Sequence, residues 1–236
     1  KKHGYIFEVP VGRVSEAVPI RAAGRFAHEA AAISRDWRYV YLTEDNFGFP
    51  SGFYRYKPPR SPRAARRLED GGRLEMLKVK HVDNADLSVG IPVGTEYRVE
   101  WVDIDDPDPT FAPGTTNNEA IVAVGDQGRA KGAAIFSRLE GAHTAPDGTI
   151  YFTSTQGGAT VDAAPSGFGD GRGQVWAYDE RGKRLRLVYE SPATAVLDLP
   201  DNVVVSPRGS LVLCEDGGGD NFLRGLTRSG QIFDFA

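Results

Sequence analysis

Residues 137–155 read SRLEGAHTAPDGTIYFTST, and the reading of this stretch decides the fold. A strand carrying Glu140 runs into Pro146-Asp147-Gly148, where proline presets φ and Asp-Gly supplies turn chemistry. A second strand follows over 149–154. The unit recurs at 199–216, LPDNVVVSPRGSLVLCED, with Asp201 as the acid and Pro207-Arg208-Gly209 as the turn. It also occurs at 27–45, AHEAAAISRDWRYVYLTED, with Glu29 and a turn one residue longer. From acid to matching second-strand residue is eleven residues for Glu140 and Asp201 and twelve for Glu29. Packing alone gives no reason for an acid to hold its register through three repeats.

Around each unit the chain supplies four strands in series. They are expected at 25–34, 39–44, 52–57 and 73–80, then at 140–145, 149–154, 173–179 and 184–190, then at 201–206, 210–215, 221–227 and 230–235. The third strands share a pattern: Gly52-Phe53-Tyr54-Arg55-Tyr56 and Gly173-Gln174-Val175-Trp176-Ala177-Tyr178 echo Gly4-Tyr5-Ile6-Phe7. Repeated four-stranded antiparallel units predict an all-β protein, a β-propeller of about three and a half blades. Residues 3–10 and 17–22 are expected to be the outer half of the blade before the first full one. The chain starts at Lys1-Lys2 without methionine and stops at Phe235-Ala236 after a strand, as expected of part of one propeller domain whose missing upstream region would be its partner.

Residues 81–137 form an insertion between blades, with a strand at 97–104 and a partly helical stretch at 117–136. It either shapes a site on one face of the disc or decorates it. Residues 60–67, RSPRAARR, read as a solvated basic tip. Residues 157–173 form a Gly-rich connection, either a loop over the site or slack.

The 236 residues are 40% hydrophobic and 25% charged, with a net charge of −4, which disfavours a nucleic-acid partner. One cysteine, Cys214, excludes an internal disulfide and a Cys-rich zinc site. No apolar run approaches membrane-spanning length. Gly-x-Ser-x-Gly, Walker and His-Glu-x-x-His motifs are absent, against serine-hydrolase, P-loop and zincin chemistry.

In a propeller the first strand of each blade lines the channel, so Glu29, Glu140 and Asp201 would converge at its mouth. Unscreened carboxylates there repel and take up protons unless a multivalent cation binds. Glu44, Asp45, Glu215 and Asp216, at the ends of second strands, are further candidate ligands, and Asn202 offers an amide oxygen. The alternative for all of them is capping of turn amides. Arg138 lies two residues before Glu140, on the same strand face, where its fork could clamp an anion or pair with a neighbouring carboxylate. His28 and His143 keep no common spacing from the acids and read as residues that support the ligands from behind or as packing residues.

His28-Glu29-Ala30, Leu139-Glu140-Gly141, Pro200-Asp201-Asn202 and Leu213-Cys214-Glu215-Asp216-Gly217 resemble the PhoX-type alkaline phosphatases, secreted bacterial propellers. The resemblance implies iron and calcium at the channel mouth, hydrolysis of phosphate esters, export by the twin-arginine route and hence a periplasmic or extracellular location. It implies that Glu29 and Glu140 hold iron (Fe3+), that Asp201, Asn202 and Glu215 hold calcium (Ca2+), and that Arg138 is the catalytic residue that holds phosphate. The family's Asn-Cys-x-Gly-Gly cysteine and a phosphate-contacting lysine have no counterpart here, so this chain alone is expected to be inactive. A calcium-dependent lactonase-like hydrolase and a non-catalytic binding propeller are the competing readings, and iron content separates the first of them from a phosphatase.

Overall fold

The computed structural model describes residues 3–59, 68 and 70–236, and residues 60–67 lie outside them. The first blade comprises β1 (His28–Ile33), β2 (Val40–Glu44), β3 (Phe53–Lys57) and β4 (Arg73–Val79). After β5 (Glu96–Asp103) and helix α1 (Asn117–Ala130), the second comprises β6 (Leu139–Thr144), β7 (Ile150–Ser154), β8 (Gln174–Asp179) and β9 (Arg184–Glu190). The third comprises β10 (Pro200–Val205), β11 (Leu211–Glu215), β12 (Leu223–Leu226) and β13 (Ile232–Asp234). Every neighbouring pair is antiparallel. The protein is therefore an all-β partial propeller.

Two features depart from the sequence reading. The insertion contributes a strand to the sheet itself. β5 pairs with β4 from Glu75↔Asp103 to Val79↔Val99, and its other edge meets β9 from Glu96↔Arg186 to Arg98↔Arg184. Blades one and two thus join at their outer edges into one nine-stranded sheet. The hairpin expected at 3–10 and 17–22 forms only the bridge Phe7↔Pro19. Pro10 and Pro19 lack the amide donors that a ladder needs.

The blades stack through aromatic cores. Tyr41 and Phe53 of blade one pack on Phe152 and Tyr178 of blade two, with Phe53 and Phe152 stacked at 4.2 Å between ring centroids. Val175, Val203 and Leu213 fill the space between blades two and three. On its other side blade one is covered by α1 and the N-terminal segment, through Phe26, Tyr54, Met76 and Val124. A capping box starts α1: the Thr116 hydroxyl accepts from the Glu119 amide, and the Glu119 carboxylate accepts from the Thr116 amide. With both faces covered, β2 is buried at every position.

Candidate metal centre

Each of the three inner strands carries a β-bulge at its acid. The register slips between His28 and Ala31 in β1, between Leu139 and Ala142 in β6, and between Pro200 and Val203 in β10. A bulge adds a residue and re-aims a side chain, so the acids leave the in-and-out alternation of the strand. The backbones of these bulges are tied from blade to blade. The Thr43 hydroxyl donates to the Glu140 carbonyl, and Thr153, in the same register, donates to the Asp201 carbonyl. At Gly141 a Cβ would stand 2.6 Å from the Asn202 Cα, so only glycine allows the second and third bulges to approach this closely.

Glu29, Asp45 and Glu140 each offer a carboxylate oxygen, and these oxygens all lie within 4.8 Å of one another. Asp201 is close enough to act on Glu140 electrostatically, and Asp216 acts on Asp201 in the same way. Burial, then the charges of Asp45 and Asp201, push Glu140 up to about 8. Burial and the same two neighbours raise Glu29, and burial followed by Asp216 raises Asp201. Among the described residues, Asp201 and Asp216 thus act on the three clustered acids or on one another, and Arg138 is the cation in contact with Asp45 and Glu140. Burial opposes the charge of that guanidinium, but Asp45 and Glu140 more than offset it and hold it protonated.

Arg138 has φ of +43°, a left-handed conformation matched by Leu199 at the equivalent position before β10. Its Nε and Nη2 donate to the two oxygens of Asp45 at 2.9 Å each, and Nη2 also reaches Glu140 Oε1 at 3.0 Å. The structure therefore places the arginine in the salt bridge that was one of its two sequence readings. Its remaining nitrogen, Nη1, has only a 3.3 Å contact to Gln156 Oε1.

Glu44 and Glu215 do not join this cluster. Glu44 is fully buried inside blade one, where it accepts from Asn46 Nδ2, the Gly52 amide and the Tyr54 hydroxyl at 2.8–2.9 Å. Burial raises it to about 7. Glu215 accepts from the Asp198 and Phe222 amides and from Arg224 Nε. Both occupy the last position of a second strand, so their side chains point into the blade while Asp45 and Asp216, one residue on, point to the mouth. Asn202 is exposed, with a 3.4 Å contact to Asp201. His28 is half-buried; its Nε2 donates to Gly24 O at 3.0 Å, its ring packs against Phe26, and burial lowers it to about 4.

Sequence reasoning missed Gln156 and Phe47. Buried Gln156 holds Arg138 on one side and Ser166 O on the other, while the Phe47 ring lies 5.3 Å from the guanidinium carbon. The Gly-rich connection folds onto both residues. The Phe168 amide donates to Phe47 O, and a Cβ at Gly167 (φ +117°) would meet Gln156 Oε1 at 2.7 Å. Of its two readings, the loop over the site is the one observed. The signal for it was Gly167-Phe168-Gly169, an aromatic between two glycines.

Comparison with curated protein sequences finds no match. Among solved structures, the chain is similar to Pseudomonas fluorescens PhoX in complex with vanadate, a transition state analogue, with a TM-score of 0.63 and 21% identity. The match covers 92% of this chain and 45% of that one, so the chain spans about half the length of that relative and shares its fold. The sequence pattern of the alkaline phosphatase PhoX family matches from residue 1 to residue 236. With acids in register at the mouth of a partial propeller and a family match along its whole length, the chain belongs to the alkaline phosphatase PhoX family.

Proposed function

We propose that the acid cluster is part of the metal centre of a phosphomonoesterase, in which Glu29, Asp45, Glu140, Asp201 and Asp216 hold cations and Arg138 holds the phosphoryl group. The observation that carries this reading is the meeting of Glu29, Asp45 and Glu140 within 4.8 Å beside one arginine fork. The donors suit hard cations such as calcium and ferric iron, since every ligand offered is an oxygen. Burial and neighbouring acids push Glu140 up to about 8, the condition a bound cation relieves. Asn202 is a peripheral oxygen ligand in this reading, whereas Glu44 and Glu215 serve the scaffold.

A cation bound here supplies Lewis-acid charge for a phosphoryl group. The chain's own part is to orient and to exchange partners. With Asp45 serving a cation instead of the guanidinium, Arg138 Nε and Nη2 would be free to present two parallel donors to phosphoryl oxygens. Gln156 and Phe47 keep the guanidinium in place during that exchange, and the 157–173 loop limits water at its back. The substrate is a phosphate ester. The location is the periplasm or the exterior, and no helix among the described residues is long and apolar enough to cross a membrane. Turnover is assigned to the longer family chain rather than to these 236 residues alone.

The test is metal analysis after loading with calcium and iron, paired with a p-nitrophenyl phosphate assay. Cation uptake that Glu140→Gln abolishes, without turnover by the chain alone, is expected. No uptake of either metal refutes the metal centre, and turnover by this chain refutes the assignment to the longer one.

A further inference from the structure

At the opposite pole of the propeller, where the turn 34–39 of blade one faces the turns 146–148 and 180–183 of blade two, lies a cavity of about 390 Å3. That is within the size range of small-molecule sites. Arg55 lines it, with its guanidinium carbon 4.4 Å from the centre of the Tyr39 ring and 4.5 Å from that of Trp101. Two rings against the guanidinium and a 2.7 Å bond from Nε to Glu75 fix the plane of the fork. Neither Nη nitrogen donates to an acceptor among the described residues. They are therefore two preset donors without a partner among the described residues.

The rim adds charge and its walls add apolar surface. Arg35, Arg181 and Lys183 line the cavity and make no ion pair among the described residues. The acids of the rim are already engaged: Asp36 with Arg38 and Ser34, Asp147 with the Thr149 amide, and Asp179 with the Arg181 amide. Glu180 lies 3.8 Å from Arg38 Nη2, and burial and then Asp36 raise it. Tyr178 forms the inner wall, its hydroxyl accepting from Trp101 Nε1 at 3.2 Å. The buried Tyr41 hydroxyl lies behind it without a hydrogen bond of normal geometry.

We propose that this cavity binds a small organic oxyanion with a flat apolar body, an aromatic carboxylate or sulfonate, clamped by Arg55 and steered by Arg35, Arg181 and Lys183. The site lies apart from the acid cluster and does not depend on its function.

The probe is naphthalene-2-sulfonate, which has no phosphate ester for the acid cluster to act on, titrated calorimetrically into the purified protein. One saturable site is expected. Affinity should fall on the order of tenfold or more in Arg55→Lys, which keeps the charge but loses the fork. The same loss is expected for the uncharged 2-naphthalenemethanol. The paired surface variant Arg35→Ser/Lys183→Ser, which touches no core residue, should weaken binding roughly threefold, and more so at low salt. Glu140→Gln should leave it unchanged. Absence of saturable binding overturns the proposal. So does equal binding of the uncharged analogue, unchanged affinity in both Arg55→Lys and the paired variant, or loss of binding in Glu140→Gln, which would place the probe at the other pole.

Discussion

Glu140→Gln should make the cation-free protein more stable while destroying its response to cations. An acid lifted from its ordinary 4.5 to about 8 costs the folded, cation-free protein roughly 3 kcal/mol at pH 7. Glutamine has almost the same shape, keeps an acceptor for Arg138 Nη2, and carries no charge toward Asp45, Asp201 and Glu29. For a chain of this length roughly 3 kcal/mol corresponds to about 6–12 °C in melting temperature. The sign of the pH dependence follows from the raised value. The wild-type contribution is fully present below pH 4.5 and is lost as pH rises through about 8, so the cation-free wild type should weaken across that window and Glu140→Gln should weaken less. Calcium should reverse the order, because at a thousandfold excess over its dissociation constant a ligand adds about 4.1 kcal/mol to the protein that binds it. The assay is a set of melting curves from pH 5 to pH 8.5, with chelator and with calcium. If chelated Glu140→Gln melts below chelated wild type, or if calcium raises both equally, the acids are not held under mutual repulsion for a cation.

Arg138→Lys keeps the charge but replaces two parallel contacts with one. Inorganic phosphate should bind the calcium-loaded protein about 10–100-fold more weakly, a loss of roughly 1.5–3 kcal/mol, with metal content and melting temperature near wild type; a lowered melting temperature with unchanged phosphate affinity would make the arginine a scaffold residue. Glu44→Ala should act oppositely to Glu140→Gln. It strands the Gly52 amide, the Tyr54 hydroxyl and Asn46 inside blade one, costs about 3 kcal/mol or more, and leaves the calcium-induced shift intact. Loss of that shift at unchanged stability would return Glu44 to the ligand set.

The blades were legible because the signals that specify them are local. Turn residues and alternation place each of the twelve blade strands within a few residues of where it forms. The acid register was legible because every repeat spends its bulge at the same point. What separates Asp45 from Glu44, and Asp216 from Glu215, is strand parity: neighbouring residues face opposite ways, and an acid pair at a strand end reads alike from sequence until one side is known to be closed. β5 was misjudged for a different reason. Its partners Val79 and Arg184 are far apart in the chain, and pairing with two edges at once leaves no local pattern. Gln156 has no charge to draw attention and gains its importance only from the fold of the 157–173 loop.

The Thr43 hydroxyl shows how a frame can hold mutually repelling acids in place. It accepts from the Ala30 amide, next to Glu29, and donates to the carbonyl of Glu140, so one buried atom fixes two bulges of neighbouring blades. Thr43→Val keeps the volume but leaves that amide and that carbonyl without a partner, at a cost of about 2 kcal/mol or more. Stability loss alone would be a scaffold effect, so the discriminating readout is calcium affinity. If the hydroxyl positions Glu29 and Glu140, affinity should fall in Thr43→Val and recover in Thr43→Ser, which restores both bonds. Thr153→Val removes the corresponding bond to the Asp201 carbonyl and a longer 3.4 Å contact to Gly141 O, and should reduce affinity less. Equal and additive losses from the two threonines would mean that they stabilise the propeller without aiming its acids.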